Sequence, residues 1–150
     1  MPAGNLEEIL VFAIEREQEA HDFYMDLAKK AERPGMDGLF TQFAREEMGH
    51  KKRLEGIKKG VRSFAPAKQV TDLKIGDYLV DVEPTATLTY QNALILAMKK
   101  EKAAFQLYTD LASQTDDAEV KQIFEGLAQE EAKHKLRFEV EYDDMILTEN

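Results

Sequence analysis

The stretches AREEMGH at residues 44–50 and AQEEAKH at residues 128–134 decide the fold of this chain. Each places a glutamate three residues before a histidine, and sliding the sequence by 84 residues brings one stretch onto the other. Residues three apart lie on one face of an α-helix, so each stretch can direct a carboxylate and an imidazole at a common point. The chain therefore repeats one helical motif.

The same shift relates the segments that precede these stretches, because Glu17 falls on Glu101 and Tyr24 falls on Tyr108. Apolar residues recur there at steps of three and four, the pattern of a helix with one buried face. Pro34 and Gly35 separate the first two helical patterns. The periodicity predicts four helices, at about residues 5–32, 35–60, 86–114 and 117–146.

The predicted helices form two hairpins joined by a long crossover at about residues 61–85, which contains two prolines. Thr85 or Thr87 can cap the third helix, and the Thr-Asp-Asp stretch at 115–117 supplies the start of the fourth. Two similar hairpins with this connection predict an all-α four-helix bundle, with residues 1–150 as a single domain. After the last motif, Phe138 and Met145 continue an apolar stripe with Tyr142 and Ile146, and we expect it to pack on the crossover or on a second subunit of a homodimer.

The residue pattern also predicts a metal site. A glutamate from each of two helices and a Glu-x-x-His motif from each of the other two form the ligand set of di-iron and di-manganese carboxylate bundles. The glutamates lie on apolar stripes, where four carboxylates without a basic residue would repel one another and bind protons. Two divalent cations would cancel four negative charges. The predicted ligands are Glu17, Glu47, His50, Glu101, Glu131 and His134.

The ligand chemistry narrows the choice of metal without fixing it. Mixed carboxylate and imidazole donors suit iron or manganese, and zinc also occupies such sites. Tyr24 and Tyr108 lie two helical turns beyond Glu17 and Glu101, so their hydroxyls either donate to ligand carboxylates or are ordinary core hydroxyls. His21, one turn beyond Glu17, is either an additional ligand or proton carrier or a histidine at a helix interface. Four further glutamates near the motifs are expected in solvent: Glu15, Glu19, Glu46 and Glu130.

Composition excludes several classes of protein. None of the 150 residues is a cysteine, so neither disulfides nor a thiolate iron site can form within the chain. A formal net charge of −9 argues against nucleic acid or an anionic membrane as the main partner. The first residues lead into an amphipathic pattern without a basic segment and an apolar run, which predicts a soluble cytoplasmic protein.

The matching segments, at residues 17–24, 44–50, 101–108 and 128–134, resemble the rubrerythrin group of the ferritin-like superfamily, especially its short members without a rubredoxin domain. The resemblance implies a ferritin-like bundle whose six ligands bind two iron ions, and a reaction that reduces hydrogen peroxide with electrons from a rubredoxin-type centre. Rubrerythrins proper have a further glutamate three residues after the third-helix ligand, where this chain has Ala104. That departure puts the peroxidase route through a redox-linked ligand exchange in doubt.

These observations predict a non-haem di-iron oxidoreductase that reduces peroxide or dioxygen and receives electrons from a separate, rubredoxin-like protein. One alternative is iron handling by ferroxidase action, storage or delivery, which requires a large hollow assembly. Another is a binding protein in which the metal ions only hold the bundle together. A basic stretch from Lys51 to Arg62 either complements the dipole of its helix or docks an acidic electron carrier.

Overall fold

Four α-helices make up the described part of the computed structural model, which covers residues 6–64, 78 and 89–149. The helices are α1 (Leu6–Lys30), α2 (Met36–Phe64), α3 (Tyr90–Gln114) and α4 (Ala118–Glu149). Helix α1 packs along α2 and α3 packs along α4, with lighter contacts between α1 and α3 and between α2 and α4. This arrangement confirms the all-α ferritin-like four-helix bundle built of two hairpins. Most of the predicted crossover lies outside the described residues.

The helix boundaries follow from local chemistry. Gly35 adopts a left-handed backbone with φ of 86° in the turn between α1 and α2, a conformation that costs glycine little. At the start of α4, the carboxylate oxygen Oδ1 of Asp117 accepts hydrogen bonds from the backbone N–H groups of Glu119 and Val120, at 2.9 and 3.1 Å. The Thr-Asp-Asp start signal therefore acts through its last residue.

Two predicted boundaries were wrong. Helix α2 continues four residues past Gly60 to Phe64, because one glycine weakens a helix without ending it. Helix α3 begins at Tyr90 and not near residue 86. Its cap is Thr89, whose side-chain oxygen accepts a hydrogen bond from the backbone N–H of Asn92 at 3.1 Å. The predicted caps Thr85 and Thr87 lie outside the described residues.

Two apolar clusters fill the bundle. The first includes Ile9, Leu10, Leu54, Leu107, Leu111, Phe124 and Leu127. The second includes Tyr24, Leu27, Phe40, Phe43, Leu94, Phe138 and Met145. Each buried aliphatic or aromatic side chain in such a cluster contributes about 1.5–3 kcal/mol to stability. The clusters are rigid surroundings for the polar residues buried in the same bundle.

The apolar end of α4 packs into its own bundle, and the predicted contact with the crossover lies outside the described residues. Phe138 is fully buried and its ring stacks on that of Phe40, at 5.7 Å between centroids, while Met145 lies in the same cluster. These side chains therefore pack against other helices of their own bundle. The homodimer remains a prediction without this support. None of the described helices is both long enough and apolar enough to cross a membrane.

Candidate metal centre

Each helix of the bundle contributes to one buried polar cluster. Helices α1 and α3 each supply one glutamate, and α2 and α4 each supply a glutamate and, one turn later, a histidine. All six side chains are at most 3% exposed. We call this set the central cluster; its members are Glu17, Glu47, His50, Glu101, Glu131 and His134. The structure thus brings together every ligand that the sequence predicted.

The donor atoms of the central cluster form two overlapping groups. Glu17, Glu47, His50 and Glu131 form one, and within it every pair of chosen ligand atoms is at most 4.8 Å apart. Glu47, Glu101, Glu131 and His134 form the other under the same limit. Glu47 and Glu131 belong to both groups. Each group also has one carboxylate and one imidazole that the other group lacks. Two such groups that share two carboxylates suit two neighbouring metal ions.

Both histidines turn the same ring nitrogen, Nδ1, towards the carboxylates of the central cluster. Nδ1 of His50 lies 3.3 Å from Oε1 of Glu131 and 3.5 Å from Oε2 of Glu17. Nδ1 of His134 lies 3.0 Å from Oε1 of Glu47 and 3.6 Å from Oε1 of Glu101. The two rings are nearly parallel, with centroids 6.3 Å apart. Nδ1 is therefore the nitrogen that each histidine offers as a ligand.

The electrostatics of the central cluster are unfavourable without cations. Burial, and then the nearby charges of Glu131 and Glu17, raise the pKa of Glu47 well above its ordinary value, and the same causes raise the pKa of Glu101. Burial lowers the pKa of His50, but the close contacts with Glu131 and Glu17 and the negative charge of both outweigh it and raise the pKa to about 10. The chain therefore retains protons where it has no other positive charge.

Glu17 shows the opposite shift. Burial raises its pKa, yet contacts with Glu47, His50 and Tyr108 outweigh burial and lower the pKa overall. Several buried donor and acceptor atoms of the central cluster have no hydrogen-bond partner, including both carboxylate oxygens of Glu47 and Nδ1 of both histidines. Such atoms are costly to bury unless something binds them. Two divalent cations fit this site, because they would bind these atoms and cancel four negative charges.

Two buried tyrosines contact the central cluster across the repeat. The hydroxyl of Tyr24 in α1 donates to Oε1 of Glu101 in α3, and the hydroxyl of Tyr108 in α3 donates to Oε1 of Glu17 in α1. Burial and the charge of Glu17 raise the pKa of Tyr108 well above its ordinary value. The hydroxyl of Tyr108 thus remains protonated, and each of the two hydroxyls holds one oxygen of the glutamate from the other hairpin. Of the two interpretations of these tyrosines, the geometry favours donors to the predicted ligands.

His21 lies away from the central cluster. Its side chain is 28% exposed, and its Nδ1 lies 2.9 Å from Oδ1 of Asp22. Neither donor group includes His21 among the described residues. His21 is therefore a partly exposed helix histidine and not an additional ligand.

The prediction that Glu46 and Glu130 are solvated was wrong. Both are about one-third exposed, at 34% and 31%, and both face a histidine of the central cluster. Oε2 of Glu130 lies 3.2 Å from Nε2 of His50, and Oε2 of Glu46 lies 3.4 Å from Nε2 of His134. A signal was present in the sequence, since a glutamate precedes the ligand glutamate in both copies of the repeat. Of the other two glutamates, Glu15 is 62% exposed.

A small cavity adjoins the central cluster between α1 and α3. Its volume is about 70 Å³, and its walls include Tyr24, Tyr108, Ala20 and Ala104. Ala20 and Ala104 each follow a predicted ligand by three residues and are related by the 84-residue shift. Their short side chains leave space directly beside the carboxylates. A water needs about 10–15 Å³ of such space, so the cavity has room for a few waters or one small molecule.

Three charged side chains outside the central cluster also line this cavity. Nζ of Lys100 lies 2.7 Å from Oε1 of Glu19, and Nη1 of Arg16 lies 3.3 Å from Oε2 of the same glutamate. Hydrogen bonding to Lys100 and the charges of Lys100 and Arg16 outweigh partial burial and lower the pKa of Glu19. Glu19 is therefore not simply solvated but links the two cations of the cavity wall.

A four-helix bundle with two overlapping carboxylate and histidine groups at its centre defines the class of this protein, a helical carboxylate-rich metal-site protein. Within that class, the family model of rubrerythrin matches residues 8–142, and the chain belongs to the rubrerythrin family.

Two solved structures share the fold. A hypothetical protein of Pyrococcus furiosus has 25% identity and a TM-score of 0.71, over 92% of this chain and 88% of its own. A Thermotoga maritima protein, described as a ferritin-like diiron-carboxylate protein, has 17% identity and a TM-score of 0.77, over 97% of this chain and 99% of its own. None of the curated proteins compared with the chain matches it.

Proposed function

We propose that this protein is a non-haem di-iron oxidoreductase that reduces hydrogen peroxide or dioxygen with electrons from a separate carrier protein. The observation that carries the proposal is the pair of donor groups that share Glu47 and Glu131 beside a small cavity. One group would hold the first iron through Glu17 and His50, and the other would hold the second through Glu101 and His134. When bound, the two iron ions supply electrons and Lewis acidity.

The side chains around the cavity support a reaction of a small oxidant. Tyr24 and Tyr108 hold one oxygen each of Glu101 and Glu17, which limits the positions these carboxylates can take. Both tyrosines line the cavity, and since each hydroxyl proton is donated to a glutamate, the hydroxyl oxygen can accept a hydrogen bond from a molecule there. Reduction of one hydrogen peroxide consumes two electrons and two protons and yields two waters. The tyrosine hydroxyls are candidates to pass those protons, and a cavity of about 70 Å³ selects for small substrates.

The electrons require a second protein. Without cysteine the chain cannot form a rubredoxin-type iron centre of its own. We propose a rubredoxin-like donor, and the basic end of α2 is the surface to which an acidic carrier would dock. Ala104 at the position of the further rubrerythrin glutamate means that the ligand exchange of rubrerythrins proper is not the proposed route. A homodimer is the assembly we propose, because a storage function would instead require a closed shell of many subunits.

Stopped-flow mixing of the reduced, iron-loaded protein with hydrogen peroxide tests the proposal. We expect oxidation of the iron chromophore within milliseconds to seconds, with repeated turnover when a reduced rubredoxin is supplied. Glu131→Gln should abolish the reaction because both donor groups contain Glu131. His21→Asn is the matched control, since His21 lies outside both groups.

Three results would contradict the proposal, and each points to a different function. Oxidation that stops after one turnover, although every electron donor has been supplied, indicates a metal site with a structural role. A shell-sized particle that accumulates many iron ions per chain indicates iron storage. A purified protein that binds no transition metal after anaerobic reconstitution excludes the metal centre altogether.

A further inference from the structure

The outer nitrogens of the two cluster histidines face carboxylates from the opposite hairpin. Nε2 of His50 in α2 lies 3.2 Å from Glu130 in α4, and Nε2 of His134 in α4 lies 3.4 Å from Glu46 in α2. The 84-residue shift relates both pairs, so the two halves of the molecule exchange these contacts. One accidental contact would not recur at the equivalent position. The repetition points to a role for the glutamates that precede the ligands.

The chemistry of imidazole defines that role. A neutral histidine that offers Nδ1 to a metal carries its proton on Nε2, and that N–H needs an acceptor. Both Nε2 atoms are buried and lack a hydrogen-bond partner in the described structure, although Glu130 and Glu46 stand within ion-pair distance. Because each carboxylate oxygen already lies within 3.4 Å of the nitrogen, either glutamate can accept a hydrogen bond from that N–H once the two groups are aligned. An aligned carboxylate fixes the ring and makes Nδ1 a stronger donor.

The two glutamates that face the histidines, Glu130 and Glu46, differ in one respect. Nη1 of Arg53 donates a hydrogen bond of 2.8 Å to Oε2 of Glu130, the same oxygen that faces His50. The repeat equivalent of Arg53 is Arg137, whose Nη2 instead contacts the sulfur of Met36 at 3.8 Å. Among the side chains that the structure describes, in residues 6–60 and 89–147, no arginine or lysine forms an ion pair with Glu46. Arg53 therefore pairs with Glu130, whereas Glu46 has no such partner among the described side chains.

We propose that Glu46 and Glu130 position the histidine of the opposite hairpin, and that Arg53 makes the two metal positions unequal. The proposal rests on the metal centre of the proposed function. The position that contains His134 binds its metal more tightly, because Glu46 is not neutralised. The position that contains His50 binds more weakly, because Arg53 shares the charge of Glu130. Sequence symmetry alone would make the two positions equivalent.

Titration of the metal-free protein with Co²⁺ against a competing chelator tests this, with the visible Co²⁺ absorption followed for each equivalent. Wild type should bind two ions in two resolved steps. Glu46→Gln should weaken the tighter step, and Glu130→Gln the weaker step, each about 10–100-fold. Arg53→Gln should bring the two binding constants closer together. Arg137→Gln, the equivalent change in the other half, should leave both constants unchanged.

The outcomes separate this inference from the proposed function. Two equal binding steps in wild type, or identical effects of Arg53→Gln and Arg137→Gln, would overturn the inequality. Unchanged binding constants in both glutamine variants would overturn the positioning role, while peroxide turnover in the same proteins would leave the proposed function intact. A wild-type protein that binds no Co²⁺ would overturn both. Circular dichroism of each metal-free variant checks that the bundle still folds.

Discussion

Two regions of this bundle bury acidic side chains, and they balance the charge in different ways. In the region we call the end cluster, Glu141 is fully buried, accepts a hydrogen bond of 2.7 Å from the hydroxyl of Tyr90, and lies 3.6 Å from Nε of Arg33. In the central cluster, four buried glutamates face two histidines. No arginine or lysine forms an ion pair with them in the described part of the chain.

The difference shows which buried carboxylates need a bound cation from outside the chain. A buried carboxylate is tolerated when a hydrogen-bond donor and a cation are within reach, and Glu141 has both in its own chain. The central cluster has tyrosine donors for only two of its four carboxylates. Burial of acidic residues alone would not have distinguished the two regions. The central cluster has no arginine or lysine to balance its glutamates in the described part of the chain, which favours a metal site there, whereas Glu141 has a cation of its own chain beside it.

The largest expected effect comes from comparing Glu47→Ala with Glu141→Ala. Glu47 belongs to both donor groups, so its removal should cost at least one metal ion per chain and most of the stability that metal adds. That added stability is about 4 kcal/mol at a free metal concentration a thousand times the Kd. Glu141→Ala should keep both metal ions. Elemental analysis and thermal unfolding with and without metal measure these differences.

Equal metal content in wild type and Glu47→Ala would contradict the proposed ligand set. Loss of metal in Glu141→Ala with a native circular dichroism spectrum would contradict the separation of the two clusters. Glu141→Ala should still lower the unfolding temperature of the metal-free protein, because it leaves a buried tyrosine hydroxyl without its acceptor.

The next effect concerns the pH dependence of the metal-free protein. The pKa of His50 is about 10 in the fold, against 6.5 ordinarily, because Glu131 and Glu17 outweigh burial. A raised pKa contributes stability that is complete below pH 6.5 and is lost as the pH rises through 10. The free energy of unfolding should therefore fall by roughly 3 kcal/mol between pH 7 and pH 9. The raised pKa values of Glu47 and Glu101 act in the same direction.

Urea unfolding of the metal-free protein at several pH values measures this slope. His50→Asn should flatten it, whereas His21→Asn should leave it unchanged. With metal in excess the trend should reverse, because metal and protons compete for the same ligand atoms and binding strengthens as the pH rises. A metal-free protein whose stability rises from pH 7 to pH 9 would contradict the electrostatic description of the central cluster.

The sequence predicted those parts of the molecule whose residues recur in a periodic pattern. The 84-residue repeat places Glu47 with His50 and Glu131 with His134 on apolar stripes, and an apolar stripe must face the interior. When four such stripes face the interior of one bundle, the glutamates and histidines on them meet there. For that reason the fold and the central cluster followed from the sequence, which also named the two tyrosines as possible hydrogen-bond donors without fixing which glutamate each would reach.

Contacts between the hairpins could not be predicted in the same way. Glu46 and Glu130 occupy helix faces that a single-helix pattern assigns to solvent, and only the packing of α2 beside α4 turns them towards the histidines. The tyrosines illustrate the same limit, since each reaches the glutamate of the other hairpin and not its own. The end cluster was missed because Arg33, Tyr90 and Glu141 share no spacing and meet only in the folded bundle.

The smallest expected effect compares one tyrosine from each region. Tyr90→Phe removes the hydrogen bond to the buried carboxylate of Glu141 and should lower the free energy of unfolding by about 2 kcal/mol, with unchanged metal content. Tyr108→Phe removes the equivalent donor from Glu17 and should slow the reaction with peroxide and alter the spectrum of the metal centre. Chemical unfolding and single-turnover kinetics on both variants separate the two roles. If Tyr90→Phe changed the metal spectrum as much as Tyr108→Phe, the end cluster would be part of the metal site and its charge balance would depend on metal as well.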